Sequence, residues 1–171
     1  MKNLKKLLLM LLTAFIGLPL AVRAQSQKPD AKTEKVKALL DERNFIFEAT
    51  YVIPQTGISK SLTYGYDMTV SKDTVTAYLP YYGRVTLPPV DPTDGGVKFT
   101  TISFDYKTIP KKKGYEILIT PKDIMEQSGS KDVRYVRINV SLNGYATLQV
   151  ISNNRDPISY NGTIVPRESK K

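Results

Sequence analysis

Residues 133–152 read VRYVRINVSLNGYATLQVIS, two alternating runs around Asn143-Gly144. Alternation of apolar and polar residues is the mark of a strand with one buried face. A two-residue Asn-Gly loop is the usual hairpin solution. It would set Ile138 and Val140 opposite Gln149 and Thr147. Counting Leu142-Asn143-Gly144 as a three-residue loop instead puts Val140 across from Ala146, Ile138 across from Leu148 and Val136 across from Val150. The parity therefore predicts a type I turn with Gly144 left-handed in a G1 bulge. This hairpin sets the class of the chain as antiparallel β.

The same alternation recurs upstream. In residues 44–53, Phe45, Phe47, Ala49, Tyr51 and Ile53 share one parity, before a turn at Pro54-Gln55-Thr56-Gly57. Tyr64–Ser71 and Thr74–Leu79 form a further hairpin around Lys72-Asp73, with Tyr66, Met68, Val70, Val75, Ala77 and Leu79 on its apolar face. Leu87-Pro88-Pro89 and the run from Asp91 to Gly96 read as a long surface loop. From Val97 the phase is faulted: Val97 and Phe99 share one parity, Ile102, Phe104 and Tyr106 the other. A β-bulge near Thr100-Thr101 would repair it. Lys107–Gly114 reads as a lysine-rich turn and Tyr115–Thr120 as the returning strand. Pro121–Lys131 is polar, with room for one helical turn. Asn153–Pro157 turns the chain, and Ile158–Val165 closes the sheet with a bend at Gly162. One helix, Ala31 to about Arg43, is predicted with Asp30 as its cap and Val36, Leu39 and Leu40 as a narrow apolar stripe. It would pack on a sheet edge or plug a barrel mouth. The expected fold is mainly β: a single antiparallel barrel or sandwich of about eight strands with one N-terminal helix.

The chain opens with Lys2, Lys5 and Lys6, an apolar run to Val22, and Ala24 as a small residue. This is the pattern of a secretory signal peptide, cleaved after Ala24. The mature protein is then 25–171, one domain with a loose segment at 25–30 and a tail at 167–171. Four of the 25 basic residues lie in the leader and none of the 16 acidic ones, so the mature net charge is +5 rather than +9. That balance favours weak attraction to anionic surfaces and gives no case for nucleic acid. No cysteine exists to form a disulfide or to carry a lipid anchor.

Histidine and cysteine are both absent, so the usual base, nucleophile and zinc ligands are missing. No phosphate-binding or dinucleotide glycine pattern occurs, and no cofactor or metal site is expected. Asp67 with Asp73, or Asp105 with Glu116, could form an acid–base pair on adjacent strands, the basis of a third-ranked hydrolase reading. The best candidate for binding is the stretch Tyr78-Leu79-Pro80-Tyr81-Tyr82-Gly83-Arg84. Pro80 and Gly83 should turn the sheet away here, leaving Tyr78, Tyr81, Tyr82 and Arg84 at its rim. Tyrosines and a cation can stack on a sugar or pair with a carboxylate. The plainer alternative is that Tyr78 and Tyr81 close the barrel end while Arg84 pairs with an acid.

Four motifs, Leu79-Pro80-Tyr81-Tyr82-Gly83-Arg84, Gly96-Val97-Lys98-Phe99, Asn143-Gly144-Tyr145-Ala146 and Ile158-Ser159-Tyr160-Asn161-Gly162, resemble the family of domain of unknown function 4251. The likeness covers nearly all of the mature chain in order. It implies an exported protein of a Bacteroides-type Gram-negative bacterium, in the periplasm or on the outer surface, and implies no activity. The reading is of a non-enzymatic β-domain that binds a small amphipathic molecule or a glycan at one end of the sheet. The alternative is a structural or protein-interaction module of the envelope. A cavity of roughly 300 Å³ or more inside the fold would favour the first and a solid core the second.

Overall fold

The structure is a computed structural model and describes residues 31–87, 95–124 and 132–167. The predicted leader, Asp30, the stretches 88–94 and 125–131, and the last four residues lie outside the described residues.

Helix α1 (Ala31–Glu42) is followed by β1 (Phe45–Pro54), a short β2 (Lys60–Ser61), β3 (Asp67–Val70), β4 (Val75–Leu79) and β5 (Val97–Thr101). Then come β6 (Phe104–Lys111), β7 (Gly114–Pro121), β8 (Val133–Ser141), β9 (Tyr145–Ser152) and β10 (Ile158–Pro166). Nine strands follow one another in the order β5-β4-β3-β1-β10-β9-β8-β7-β6, all antiparallel, with β2 added beside β1.

Laid flat at about 4.8 Å per strand, β5 and β6 would stand about 38 Å apart. The link from Thr101 to Phe104 spans only about 10 Å. The sheet must therefore curl until its two edges meet. Eight antiparallel steps also leave β5 and β6 running in the same direction, so β6 prolongs β5. The first half of this bent strand pairs with β4 and the second half with β7. The result is a near-closed barrel of eight strand positions, ten named strands when the bent one is split and β2 is counted.

The phase fault after Val97 thus has a larger meaning than the bulge expected of it. Val97, Phe99 and Thr101 face inward, Ile102 and Ser103 are exposed, and Phe104 and Tyr106 resume on the other parity. Ile102, expected inside, is 75% exposed at the point where the strand changes partners. Asp123 seals this corner. It bonds Thr101 Oγ1 and, at 3.2 Å, accepts from the Ile102 N–H. Burial pushes its carboxyl up, but those hydrogen bonds outweigh burial and leave it below the usual carboxylate range.

Two other expectations need correction. The lysine-rich turn shrinks to Lys112-Lys113, because residues 107–111 continue β6 against β7. Pro110 is tolerated there since β6 pairs on one side only and its missing donor faces the unpaired side. In β1 the alternation breaks at a register shift between Ala49 and Tyr51. Tyr51 turns out to solvent and Val52 takes the inward place. The bulge follows from Gly162 on β10, where any Cβ would lie 2.0 Å from the Glu48 carbonyl oxygen, so the two backbones come closer than a regular ladder allows.

The β8–β9 hairpin has the expected register, with Val136↔Val150, Ile138↔Leu148 and Val140↔Ala146. Its turn closes with Gly144 N–H donating to the Ser141 carbonyl at 3.0 Å, and Gly144 has φ +85°. Tyr160, Phe45, Phe47, Leu40, Met68 and Leu148 fill the interior from several strands and the helix. Helix α1 plugs one mouth through Val36 and Leu40. Tyr106 Oη donates to the Leu40 carbonyl at 3.0 Å while Arg43 lies over its ring. Burial drives that phenol up to about 12. Among the described residues no helix is long and apolar enough to cross a membrane.

Candidate functional site

The mouth opposite α1 is where the sequence placed its candidate residues, and the structure separates them. At the end of β4 the chain leaves the sheet at Pro80, as its lost donor and the following glycine suggest. Pro80 is held there by Tyr160, whose buried hydroxyl donates to the Pro80 carbonyl at 2.7 Å. Burial raises that phenol far above its ordinary value, so it stays a neutral donor.

Tyr81 folds back over the mouth. Its hydroxyl lies 2.8 Å from the Arg84 carbonyl and 3.1 Å from the Asp156 carbonyl, two acceptors for one O–H. Burial chiefly raises its pKa. Beneath the ring, 5.0 Å from its centroid, is the guanidinium of Arg155. Arg155 is buried and paired with buried Asp132, Nε at 2.9 Å and Nη2 at 2.5 Å from Oδ1. Its Nη1 donates to the Gly96 carbonyl at 2.5 Å, and Asp132 Oδ2 accepts from the Asn154 N–H at 3.0 Å. Backbone bonds from Asp156 to Arg84 and from Thr86 to Asn154 lay the loop along the β9–β10 turn. One buried ion pair thus ties together the entry to β8, the β9–β10 turn, the start of β5 and the aromatic loop.

Of the candidates, Tyr81 therefore closes the mouth. Tyr78 does not; it stands on the outer face, stacked on Tyr66 with centroids 5.9 Å apart and beneath Lys98 Nζ at 5.1 Å. Tyr82 is outside as well, with Lys60 Nζ 4.3 Å above its ring. The Arg84 side chain is exposed and has no acidic partner among the described residues. The arginine that pairs with an acid is Arg155, which the sequence reading passed over. Neither Asp132 nor Arg155 lies in a recognisable motif, and 23 residues separate them. The one clue was an arginine inside an otherwise turn-forming Asn-Asn-Arg-Asp-Pro run.

The carboxylate pairs proposed for acid–base work do not converge. Asp105 sits opposite Thr120 and bonds Lys122 at 2.6 Å, while Glu116 sits opposite Ile109 and Asn139. Asp73 belongs to the β3–β4 turn, where the hydroxyls of Ser71 and Thr74 hold its carboxyl below its ordinary value. The pair that does face across strands is Glu48 with Asp67. Burial raises the Asp67 carboxyl above its ordinary value. A carboxyl raised in the folded state costs stability above its folded pKa, and the cost disappears as pH falls below its unfolded value. We expect Asp67→Asn to be more stable than wild type at pH 7 by about 0.5 kcal/mol. Urea unfolding at pH 7 and near pH 4 checks this: the gain should shrink toward the acid side, and a pH-independent difference would exclude the mechanism.

Fold and site together define a small near-closed antiparallel β-barrel with one mouth plugged by a helix and the other sealed by a buried ion pair under tyrosine. The chain belongs to the family described as Domain of unknown function (DUF4251), whose family model matches residues 27–164. A crystal structure of a DUF4251 family protein from Bacteroides eggerthii is similar in fold, with TM-score 0.56 over 79% of this chain and 87% of that one at 17% identity. No curated protein matches the chain.

Proposed function

We propose that the protein is an exported, non-enzymatic β-domain of the Gram-negative envelope, and that it docks on an acidic protein partner through the tyrosine and lysine rim of its sealed mouth. The observation that carries this reading is where the aromatic groups go. The interior is filled by packed side chains, whereas Tyr78 is 49% and Tyr82 37% exposed. Lys98 and Lys60 lie over those two rings, and Arg84, two residues beyond Tyr82, is exposed. These cations have no carboxylate partners among the described residues, so an acidic surface would supply what they lack. The faces of both tyrosines are already covered by lysine, which makes them poor platforms for a sugar. The small-ligand reading draws its support from a different part of the surface, described below.

A photo-crosslinking residue at position 82, introduced in living cells, tests the docking reading. It should trap one envelope protein, and Arg84→Ala or Lys98→Glu should abolish the adduct. The same residue at exposed position 107 should trap nothing specific. Absence of an adduct at 82, or one that survives both substitutions, would defeat the reading.

A further inference from the structure

The bulge in β1 does more than relieve a close approach. It sends two consecutive side chains, Thr50 and Tyr51, to the outer face, where a regular strand would have turned one inward. Both arrive beside Asn161. Tyr51 is its register partner, and Thr50 Oγ1 donates to its carbonyl oxygen at 3.2 Å. From Asn161 the register carries an outward polar row across β9 and β8, through Thr147 to Asn139. Thr147 Oγ1 lies 3.0 Å from Asn161 Oδ1. Only the hydroxyl can donate in that contact, so the amide is fixed with its NH₂ group turned away. Neither that NH₂ group nor the Asn139 amide has a hydrogen-bond partner among the described residues.

These groups floor a groove of about 660 Å³ that opens to solvent. Tyr145 stands in its wall and is 63% exposed, and no cation lies over its ring among the described residues, unlike Tyr78 and Tyr82. Lys111 and Lys113 rise at its rim from the β6–β7 turn. Glu116 takes part of the Lys111 charge at 3.5 Å, which leaves Lys113 as the available cation. Fixed amides and hydroxyls suit the hydroxyls of a sugar. An uncovered tyrosine suits the C–H face of a pyranose ring, and an ammonium suits an acidic substituent. We propose that this groove binds a segment of acidic polysaccharide, one whose sugar rings carry carboxylate or sulfate. The neighbouring groove, which shares Thr50, is lined by Glu48 and Asp67 and would repel the same chain. The acidic segment is therefore confined to the β7–β10 side.

Calorimetric titration with an oligogalacturonate, a chondroitin sulfate oligosaccharide and a neutral cello-oligosaccharide tests this. One or both acidic ligands should bind, and the affinity should weaken as salt rises. Tyr145→Ala and Lys113→Ala should each cost about tenfold in affinity, while Tyr82→Ala should leave it unchanged. All three positions are exposed, and an unchanged Tm will show that the variants fold. Binding of oligogalacturonate alone assigns carboxylate, and of the sulfated ligand alone assigns sulfate; either supports the proposal. Failure of both acidic ligands, equal binding of the neutral one, or affinity that survives both groove substitutions overturns it. Because Tyr82 lies outside the groove, its variant separates this site from the docking rim.

Discussion

Arg155→Ala is expected to lower stability by about 3–5 kcal/mol, which for a domain of this size is a fall in Tm on the order of 10 °C. The cost comes mainly from what the substitution leaves behind. Asp132 would remain buried with its charge, holding, among the described residues, the Asn154 N–H that Oδ2 accepts. The Gly96 carbonyl would lose its donor, and Tyr81 the cation beneath its ring. Asp132→Ala should be similarly damaging, since it removes the carboxylate that offsets the charge of a buried guanidinium. Replacing both partners with apolar residues of matching volume, Asp132→Leu with Arg155→Met, should cost less than either single change, because no charge is then left without a partner. Urea unfolding of the three variants measures the coupling. Hydrogen exchange at the Asp156 and Thr86 amides should rise in both single variants, because each bond joins the β9–β10 turn to the strap that the pair holds down. A loss under about 1 kcal/mol in both singles would mean that the ion pair does not hold this end together.

The consequence for binding is specific. Tyr82 and Arg84 sit on that strap, so their positions depend on Tyr81 and, through it, on Arg155. The Tyr145 groove is lined by residues of β1 and of β6 to β10 and does not include Asp132 or Arg155 among its lining residues. Short of global unfolding, loosening the ion pair should weaken docking at the rim and leave the groove intact.

How much of this was legible in the sequence depended on whether the deciding partner was local. The β8–β9 hairpin was readable because both strands carry a strong period of two and the turn between them is short. A two-residue loop would part Ile138 from Leu148, and a three-residue loop sets them opposite one another. The β3–β4 hairpin was readable for the same reason, and so was the fact of a fault after Phe99. What the fault meant was hidden, because β4 and β7, the two partners of the bent strand, lie on opposite sides of it in the chain. The β1 bulge was equally hidden. Tyr51 and Ile53 offer one apolar parity and Val52 with Pro54 the other, and the choice is made by Gly162, more than a hundred residues away. Among the candidate site residues, Tyr81 was found by composition, since an aromatic after proline at a strand end has somewhere to fold back to. Asp132 and Arg155 were missed because a buried ion pair has no periodicity. The outer groove was missed because Thr50, Thr147, Asn139 and Asn161 look like the ordinary solvent face of a sheet until the register lines them up.

Gly162→Ala should be among the most damaging single-methyl additions in this chain. The new Cβ would lie 2.0 Å from the Glu48 carbonyl oxygen, 2.9 Å from its carbon and 3.0 Å from Cζ of Phe47. The ring could give way, but the carbonyl cannot, because it belongs to the central β1–β10 ladder. Rotating a side chain cannot relieve the clash, so the two strands must separate near Ala49 or the bulge must move. Separation breaks pairing in the middle of the barrel and opens the core around Phe47 and Ala49, at a cost of about 3 kcal/mol or more. The second outcome is more informative. If the bulge slid along β1, Tyr51 or Val52 would reverse its facing, and Thr50 would leave the outer groove. Gly162→Ala should therefore lower Tm and, in whatever fraction stays folded at low temperature, weaken acidic-oligosaccharide binding, although the substituted residue points inward. A chemical-shift map of β1 would detect the slide. A variant as stable as wild type would show that β1 and β10 have slack at this crossing, and the bulge would then need a cause other than the glycine.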